Sequence, residues 1–169
     1  REEKFNYTLG FGVQPSVLSG ESYTRNTSTR NNAFNIFPSA RFQYKFSRSK
    51  EFNINYNGRS NLPSYNQLQP ITDNSNPQYP IVGNPGLDAE FNNRINLRYN
   101  NSNIQTGNTF FSNFNINFTR DKIVSTTKTQ NLSSPEIIQE RGYTNASGYF
   151  TVNGFYAYNK PLKDKKYVF

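Results

Sequence analysis

Apolar and polar residues alternate along most of this chain, and successive side chains of an extended strand point to opposite faces, so the alternation predicts β-strands. It recurs in six segments. In the first, Phe5, Tyr7, Leu9, Phe11, Val13 and Val17 share a face with Pro15, against Asn6, Thr8, Gly10, Gly12 and Gln14. In the second, Phe34, Ile36, Ala40, Phe42, Tyr44 and Phe46 alternate with Asn35, Ser39, Arg41, Gln43 and Lys45, and Phe37 is out of step. The third sets Phe52, Ile54 and Tyr56 against Asn53, Asn55, Asn57 and Arg59. The fourth sets Phe91, Ile95, Leu97 and Tyr99 against Asn92, Arg94, Asn96, Arg98 and Asn100. The fifth opposes Phe110, Phe114, Ile116 and Phe118 to Asn113, Asn115, Asn117 and Thr119. The sixth opposes Phe150, Val152, Tyr156 and Tyr158 to Thr151, Asn153 and Ala157. Phe111, Tyr149 and Phe155 blur these last two patterns. No segment has helical spacing, so the expected class is all-β.

Segments of about ten residues with one apolar and one polar face, separated by turn residues, fit strands of a transmembrane β-barrel. At about 3.3 Å per residue and a tilt near 45°, ten residues span roughly 23 Å, close to the apolar band of such a barrel. A soluble β-sandwich alternates as well, so period alone does not decide between them. Connection lengths add a second test. Ser47 to Lys50 and Asn101 to Thr109 are short, and a bend falls at Lys160 to Lys165. Ser19 to Asn32, Ser60 to Glu90 and Ser125 to Gly142 are long. This alternation predicts an antiparallel up-and-down meander with brief periplasmic turns and long outer loops, six strands and the start of a seventh. Strands one, three and five then run outward. Their periplasmic ends, with those of the returning strands, carry Phe5, Tyr7, Tyr44, Phe46, Phe52, Tyr99, Phe110, Tyr156 and Tyr158. These nine form an expected aromatic girdle, because the rings tolerate both lipid and headgroup water.

Composition narrows the choice. Hydrophobic residues are only 33% of the 169, yet aromatics reach 16%, with 15 Phe and 12 Tyr, so the apolar surface is concentrated in rings. A disordered chain lacks that content. The net charge of +8 raises nucleic acid as a partner, but the cations are spread thinly apart from Lys160 to Lys166, and no nucleic-acid role is expected. Gly10-Phe11-Gly12-Val13 is superficially similar to an RNA-binding strand motif; glycine on the inner face of a barrel strand more simply admits a close neighbour. With no histidine and no cysteine, serine triads, thiol nucleophiles and the usual zinc sites are unavailable, so no enzyme, metal or cofactor is expected. No apolar run approaches the roughly 20 residues of a membrane helix. The chain opens without a signal peptide and closes on Tyr167-Val168-Phe169, as a strand begins. Residues 1–169 are therefore expected to be a fragment of one barrel domain.

Polar positions supply the candidate sites. The polar faces of strands two, three and four carry Arg41, Arg59, Arg94 and Arg98 and no aspartate or glutamate in those segments. Arginine on the lipid face near the midplane costs about 2–4 kcal/mol, so all four are assigned to line an electropositive lumen. They either pair with acidic groups of a plug or attract an anionic solute. Tyr65, Gln67 and Tyr79 in the longest loop are candidates to contact a ligand or to pack the loop on itself. Asp73-Asn74-Ser75-Asn76 has oxygen ligands at short spacing but lacks the glycine and terminal glutamate of a calcium loop, and reads as a turn. Glu136 and Glu140 read as solubilising loop residues. The Asn-x-Ser/Thr sequences at Asn6, Asn26, Asn117, Asn131 and Asn145 are expected by chance in so Asn-rich a chain.

The ordered series from Phe34 to Tyr99 carries a resemblance. It comprises an apolar strand and short turn, then Tyr56-Asn57-Gly58-Arg59-Ser60, Pro63-Ser64, Gln67-Leu68-Gln69-Pro70, Asp73-Asn74-Ser75-Asn76-Pro77 and Gly83-Asn84-Pro85-Gly86-Leu87 leading to Glu90. This series resembles the outer-membrane β-barrel family related to TonB-dependent receptors. Gly142-Tyr143-Thr144-Asn145 through Gly154 and Lys160-Pro161-Leu162 are similar to the next part of those barrels. The resemblance implies a barrel of about 22 strands in the outer membrane of a Gram-negative bacterium, in contact with lipid, filled by a plug domain and driven by a TonB-type energy transducer. Neither plug nor TonB box is found in these residues. The function expected is that of a segment of a transporter or receptor barrel mediating solute uptake. The alternative is a soluble β-sandwich that binds glycans through exposed tyrosines, which would bury Phe42, Ile54, Leu97 and Ile116 between two sheets.

Overall fold

The computed structural model describes residues 4–22, 27–70, 72–130, 138–162 and 167–168. Period-two alternation gives long strands, joined where Gly, Pro, Asn and Ser accumulate. In chain order these are β1 (Phe5–Ser22), β2 (Thr27–Ser47), β3 (Lys50–Asn61), the single turn α1 (Tyr65–Leu68), β4 (Thr72–Asp73), β5 (Ile81–Val82) and β6 (Glu90–Ser102). Then come β7 (Thr109–Arg120), β8 (Lys122–Gln130), β9 (Ile138–Ala146), β10 (Tyr149–Asn159), β11 (Pro161–Leu162) and β12 (Tyr167–Val168). The six expected strands are β1, β2, β3, β6, β7 and β10. They pair in that order as one antiparallel sheet, open in the described residues.

Register makes the two faces continuous. Directly opposed residues share a face, and Leu9, Ala40, Tyr56, Ile95, Ile116 and Val152 form one row across all six strands. The next row runs Tyr7, Phe42, Ile54, Leu97, Phe114 and Gly154. A one-residue slip anywhere would turn a whole strand's rings to the wrong side. This apolar face is uncovered: Leu9 is 76% exposed and Phe11 72%, and the only buried hydrophobics among the described residues are Leu68 and Leu87, both in the long loop. Phe42, Ile54, Leu97 and Ile116 sit on one face of one sheet, where the sandwich alternative would have them face a second sheet.

The long connections depart from the expectation of plain loops. β1 and β2 stay paired as far as Ser22 opposite Thr27, which turns most of the expected Ser19 to Asn32 loop into strand. β7 runs on through Asp121 into β8, and β8 pairs with β9 from Lys122 opposite Ala146 to Gln130 opposite Ile138. The expected Ser125 to Gly142 loop is thus mostly a hairpin. Alternation in Ile123-Val124-Ser125-Thr126-Thr127 is too weak to show this at the level of sequence. Asp121 adopts φ 54°, the left-handed conformation that short polar side chains tolerate. It breaks the strand where the hairpin leaves the main sheet. Within the connection from β3 to β6, β4 pairs with β5, and β5 joins β9 in parallel at Ile81 opposite Arg141. The result is a second, four-stranded sheet ordered β4-β5-β9-β8 at the loop end of the molecule. β11 pairs with β12. Glu136, Asn26, Asn131 and Lys163 to Lys166 lie outside the described residues.

Candidate functional site

The polar face is built in the same rows. Thr8, Arg41, Asn55, Asn96, Asn115 and Asn153 form one, and Gly10, Ser39, Asn57, Arg94, Asn117 and Thr151 the next. Side-chain amides bond across strands: Asn96 Nδ2 donates to Asn113 Oδ1 at 2.6 Å and to Asn115 Oδ1 at 2.9 Å. Asn117 accepts from Arg94 Nε at 3.1 Å and donates to Thr151 Oγ1 at 3.3 Å. Thr119 Oγ1, buried, donates to Asn92 Oδ1 at 2.6 Å. Each amide both donates and accepts, so an Asn-rich wall ties neighbouring strands together and still offers hydrogen bonds to whatever faces it.

All four candidate arginines, Arg41, Arg59, Arg94 and Arg98, fall on this face and are exposed. Arg98 stacks over Phe111, 5.1 Å from the ring centroid, and Phe111 meets Phe155 at 5.5 Å. The out-of-step aromatics are therefore inner-face residues, Phe37 among them, opposite Gly12. Two carboxylates correct the picture of a purely cationic wall, because the strands extend beyond the segments read from sequence. Glu51 and Glu90 lie on the polar face at opposite ends of it. Glu51 accepts from Gln43 Nε2 at 3.2 Å, and Glu90 accepts the backbone N–H of Ile123 at 2.7 Å. At the loop end, Asn57, Arg59, Arg94, Asn117, Lys122 and Tyr149 take part in lining a hollow of about 530 Å³. The Lys122 ammonium sits over the Tyr149 ring, 3.5 Å from its centroid.

The apolar face carries the nine aromatics assigned to the girdle. Rings touch in a chain across strands: Tyr44 to Phe46 at 4.7 Å, Phe46 to Tyr99 at 6.5 Å, Tyr99 to Phe110 at 5.8 Å, and Phe110 to Tyr156 and Tyr158 at 6.5 and 6.4 Å. Phe52 lies between Tyr44 and Tyr99, and Phe5 and Tyr7 oppose Tyr44 and Phe42. Polar residues interrupt this face at Ser112, between Tyr99 and Tyr156, and at Asn93. Asn93 is buried, accepts from the Tyr56 hydroxyl at 2.8 Å, and sends Nδ2 toward the carbonyls of Phe91 and Phe118. The arrangement needs Gly58, since a Cβ there would stand within 2.9 Å of Phe91 and of the Tyr56 hydroxyl.

In the long loop, Tyr65 and Gln67 are spent on packing. The Tyr65 ring lies against Gly20 of β1, where any side chain would collide with it, and its hydroxyl accepts from Gln69 Nε2 at 2.8 Å. Gln67 Oε1 accepts the Ser64 N–H at 2.8 Å. Tyr79 is partly exposed, with the Arg141 guanidinium 5.3 Å from its ring centroid. Asp73 closes a turn by accepting from the side chain and backbone of Ser75, which holds its carboxyl below the usual carboxylate range. No residue type distinguishes Asn145 in the sequence, yet it clamps the loop: Nδ2 donates to the Asp88 and Asp121 carbonyls at 3.0 and 2.7 Å, and Oδ1 accepts the Asp88 N–H at 2.8 Å. Asn84 adds a bond to the Tyr143 carbonyl at 3.1 Å.

An antiparallel sheet with an uncovered aromatic and aliphatic face, a hydrogen-bonded amide and arginine face, short turns at one end and structured loops at the other defines a wall of a membrane-spanning β-barrel. The chain belongs to the Outer membrane protein beta-barrel family, whose model matches residues 2–166. Its place is accordingly the outer membrane. No curated protein and no solved structure matches the chain.

Proposed function

We propose that this chain forms part of the wall of an outer-membrane transporter or receptor and lines the path by which polar solutes are taken up. The observation that carries the reading is the contrast between the two faces. The apolar rows suit lipid, and the opposite rows of Asn, Thr and Arg suit a water-filled or plugged lumen. The remainder of the barrel, a plug domain and a TonB-type transducer are the partners this reading entails, following the resemblance to TonB-dependent receptors. The chain takes no catalytic part. The test is uptake of labelled small solutes by cells with and without the full-length protein, with and without a protonophore. Protein-dependent uptake that stops when the proton gradient collapses supports an energised transporter. Uptake indifferent to the gradient removes the transducer, and no protein-dependent uptake removes transport altogether.

A further inference from the structure

The hollow at the loop end of the polar face concentrates cations beyond what strand alternation requires. Arg59, Arg94 and Lys122 come from three different strands and line it together. Among the described residues no carboxylate lines it. Glu90, on the same face, directs Oε1 to the Ile123 N–H. Arg94 is aimed through Nε by Asn117, itself held by Thr151, and its two terminal nitrogens have no hydrogen-bond partner among the described residues. Arg59 makes no hydrogen bond or ion pair among them either. Lys122 is fixed over the Tyr149 ring and meets no acid among the described residues.

We infer that this hollow is a binding site for an anionic, polyhydroxylated solute, one that carries a carboxylate or phosphate group. Two guanidinium groups and an ammonium supply charge-assisted donors to the acidic group, and a guanidinium's planar fork matches carboxylate or phosphate oxygens in pairs. The amides of Asn57, Asn61 and Asn92 also line the hollow. Because each amide donates and accepts, they suit hydroxyl groups, which do the same. A volume of about 530 Å³ is within the range of small-molecule sites and holds a monosaccharide acid with water around it. Charge collected at the outer mouth also raises the local concentration of anions before they enter. The inference rests on the transport reading for its biology but not for its test.

The experiment titrates the full-length protein, purified in detergent, with glucuronate and with glucose, which share a ring and differ by one carboxylate. Glucuronate is expected to bind at least about tenfold more tightly than glucose, and to weaken as salt rises. The double variant Arg59→Gln, Arg94→Gln should lose at least about tenfold in glucuronate affinity with little change for glucose, and Lys122→Gln should lose part of it. The charge-keeping pair Arg59→Lys, Arg94→Lys should bind glucuronate more weakly than the wild type but more tightly than the glutamine pair, with its salt dependence kept, which separates loss of charge from loss of the paired fork. Equal binding of both sugars, unchanged binding in a folded double variant, or no glucuronate binding by the wild type overturns the inference. Binding that emerges only once a carboxylate elsewhere in the protein is neutralised also overturns it, since the hollow is then filled by the protein itself. A protein that binds glucuronate in detergent but moves no solute across a membrane keeps this site and loses the transport reading.

Discussion

Tyr56 and Asn93 show what a single polar residue requires on a lipid-facing surface. Hydrocarbon offers no replacement hydrogen bond, so the Asn93 amide must be satisfied by protein, and its oxygen takes the Tyr56 hydroxyl. Tyr56→Phe should therefore destabilise the folded barrel by about 1–3 kcal/mol, the cost of a buried acceptor left without its donor. Adding Asn93→Leu to that variant should recover part of the loss. Urea unfolding in lipid vesicles reads both, and a Tyr56→Phe variant as stable as the wild type would mean that the bond contributes nothing. Asn145 makes a parallel case outside the membrane. Asn145→Ala removes two hydrogen bonds between the long loop and the hairpin and a third to the Asp121 carbonyl at the strand break, so amide exchange should speed up by at least about tenfold at Asp88 and Arg141, with the main sheet unchanged. Neither role is legible in the sequence. Asn93 falls on the apolar side of an alternating strand and Asn145 within an Asn-x-Ser/Thr sequence, and only cross-strand partners tell them from the many other asparagines.

Between elements, the informative boundary is Asp121. The alternation of Phe114, Ile116 and Phe118 marks β7 well, because each apolar side chain has to reach one face. Beyond Asp121 the chain forms a hairpin rather than an open loop, and the change of direction rests on one residue at φ 54° with its carbonyl held by Asn145. Asp121→Val places a β-branched side chain in the left-handed region and should cost about 1–2 kcal/mol, whereas Asp121→Gly should be tolerated. Thermal unfolding of the two variants, side by side, checks the sign. The main strands are readable since a membrane wall imposes strict alternation on them. The β8–β9 hairpin and the short β4 and β5 are not, because outside the bilayer both faces of a strand meet water or other loops and the pattern relaxes. The same freedom explains β1. At about 3.3 Å per residue and a tilt near 45°, its 18 residues stand roughly 42 Å tall, well beyond an apolar band of about 25 Å. Its outer part continues as paired strand because the hairpin hydrogen bonds persist without lipid.

For the molecule as a whole, the decisive property is that almost nothing apolar is buried. A soluble chain of this size covers its rings, while here Leu68 and Leu87 are the buried hydrophobics among the described residues and Phe5, Tyr7, Leu9 and Phe11 are all more than half exposed. The cationic face is legible in the alternating segments, but its hollow is not, since Lys122 reaches it from beyond the strand break; the two carboxylates of that face, Glu51 and Glu90, join it only through strand extension and lie outside the hollow. Which face meets lipid is open to direct measurement, because the chain contains no cysteine and single cysteines report cleanly. Neighbours in sequence should give opposite answers. In the full-length protein in lipid vesicles, Leu97→Cys and Ile116→Cys should resist a water-soluble maleimide, and a fluorophore attached to them should be quenched by brominated lipid tails. Asn96→Cys and Asn115→Cys should label unless a plug covers them, and a fluorophore there should escape the brominated lipid in either case. Quenching measures contact with hydrocarbon rather than mere protection from water. It therefore separates a membrane wall from a face buried against protein, in which Leu97 and Ile116 would be protected yet unquenched, and that result would defeat the membrane assignment of this face.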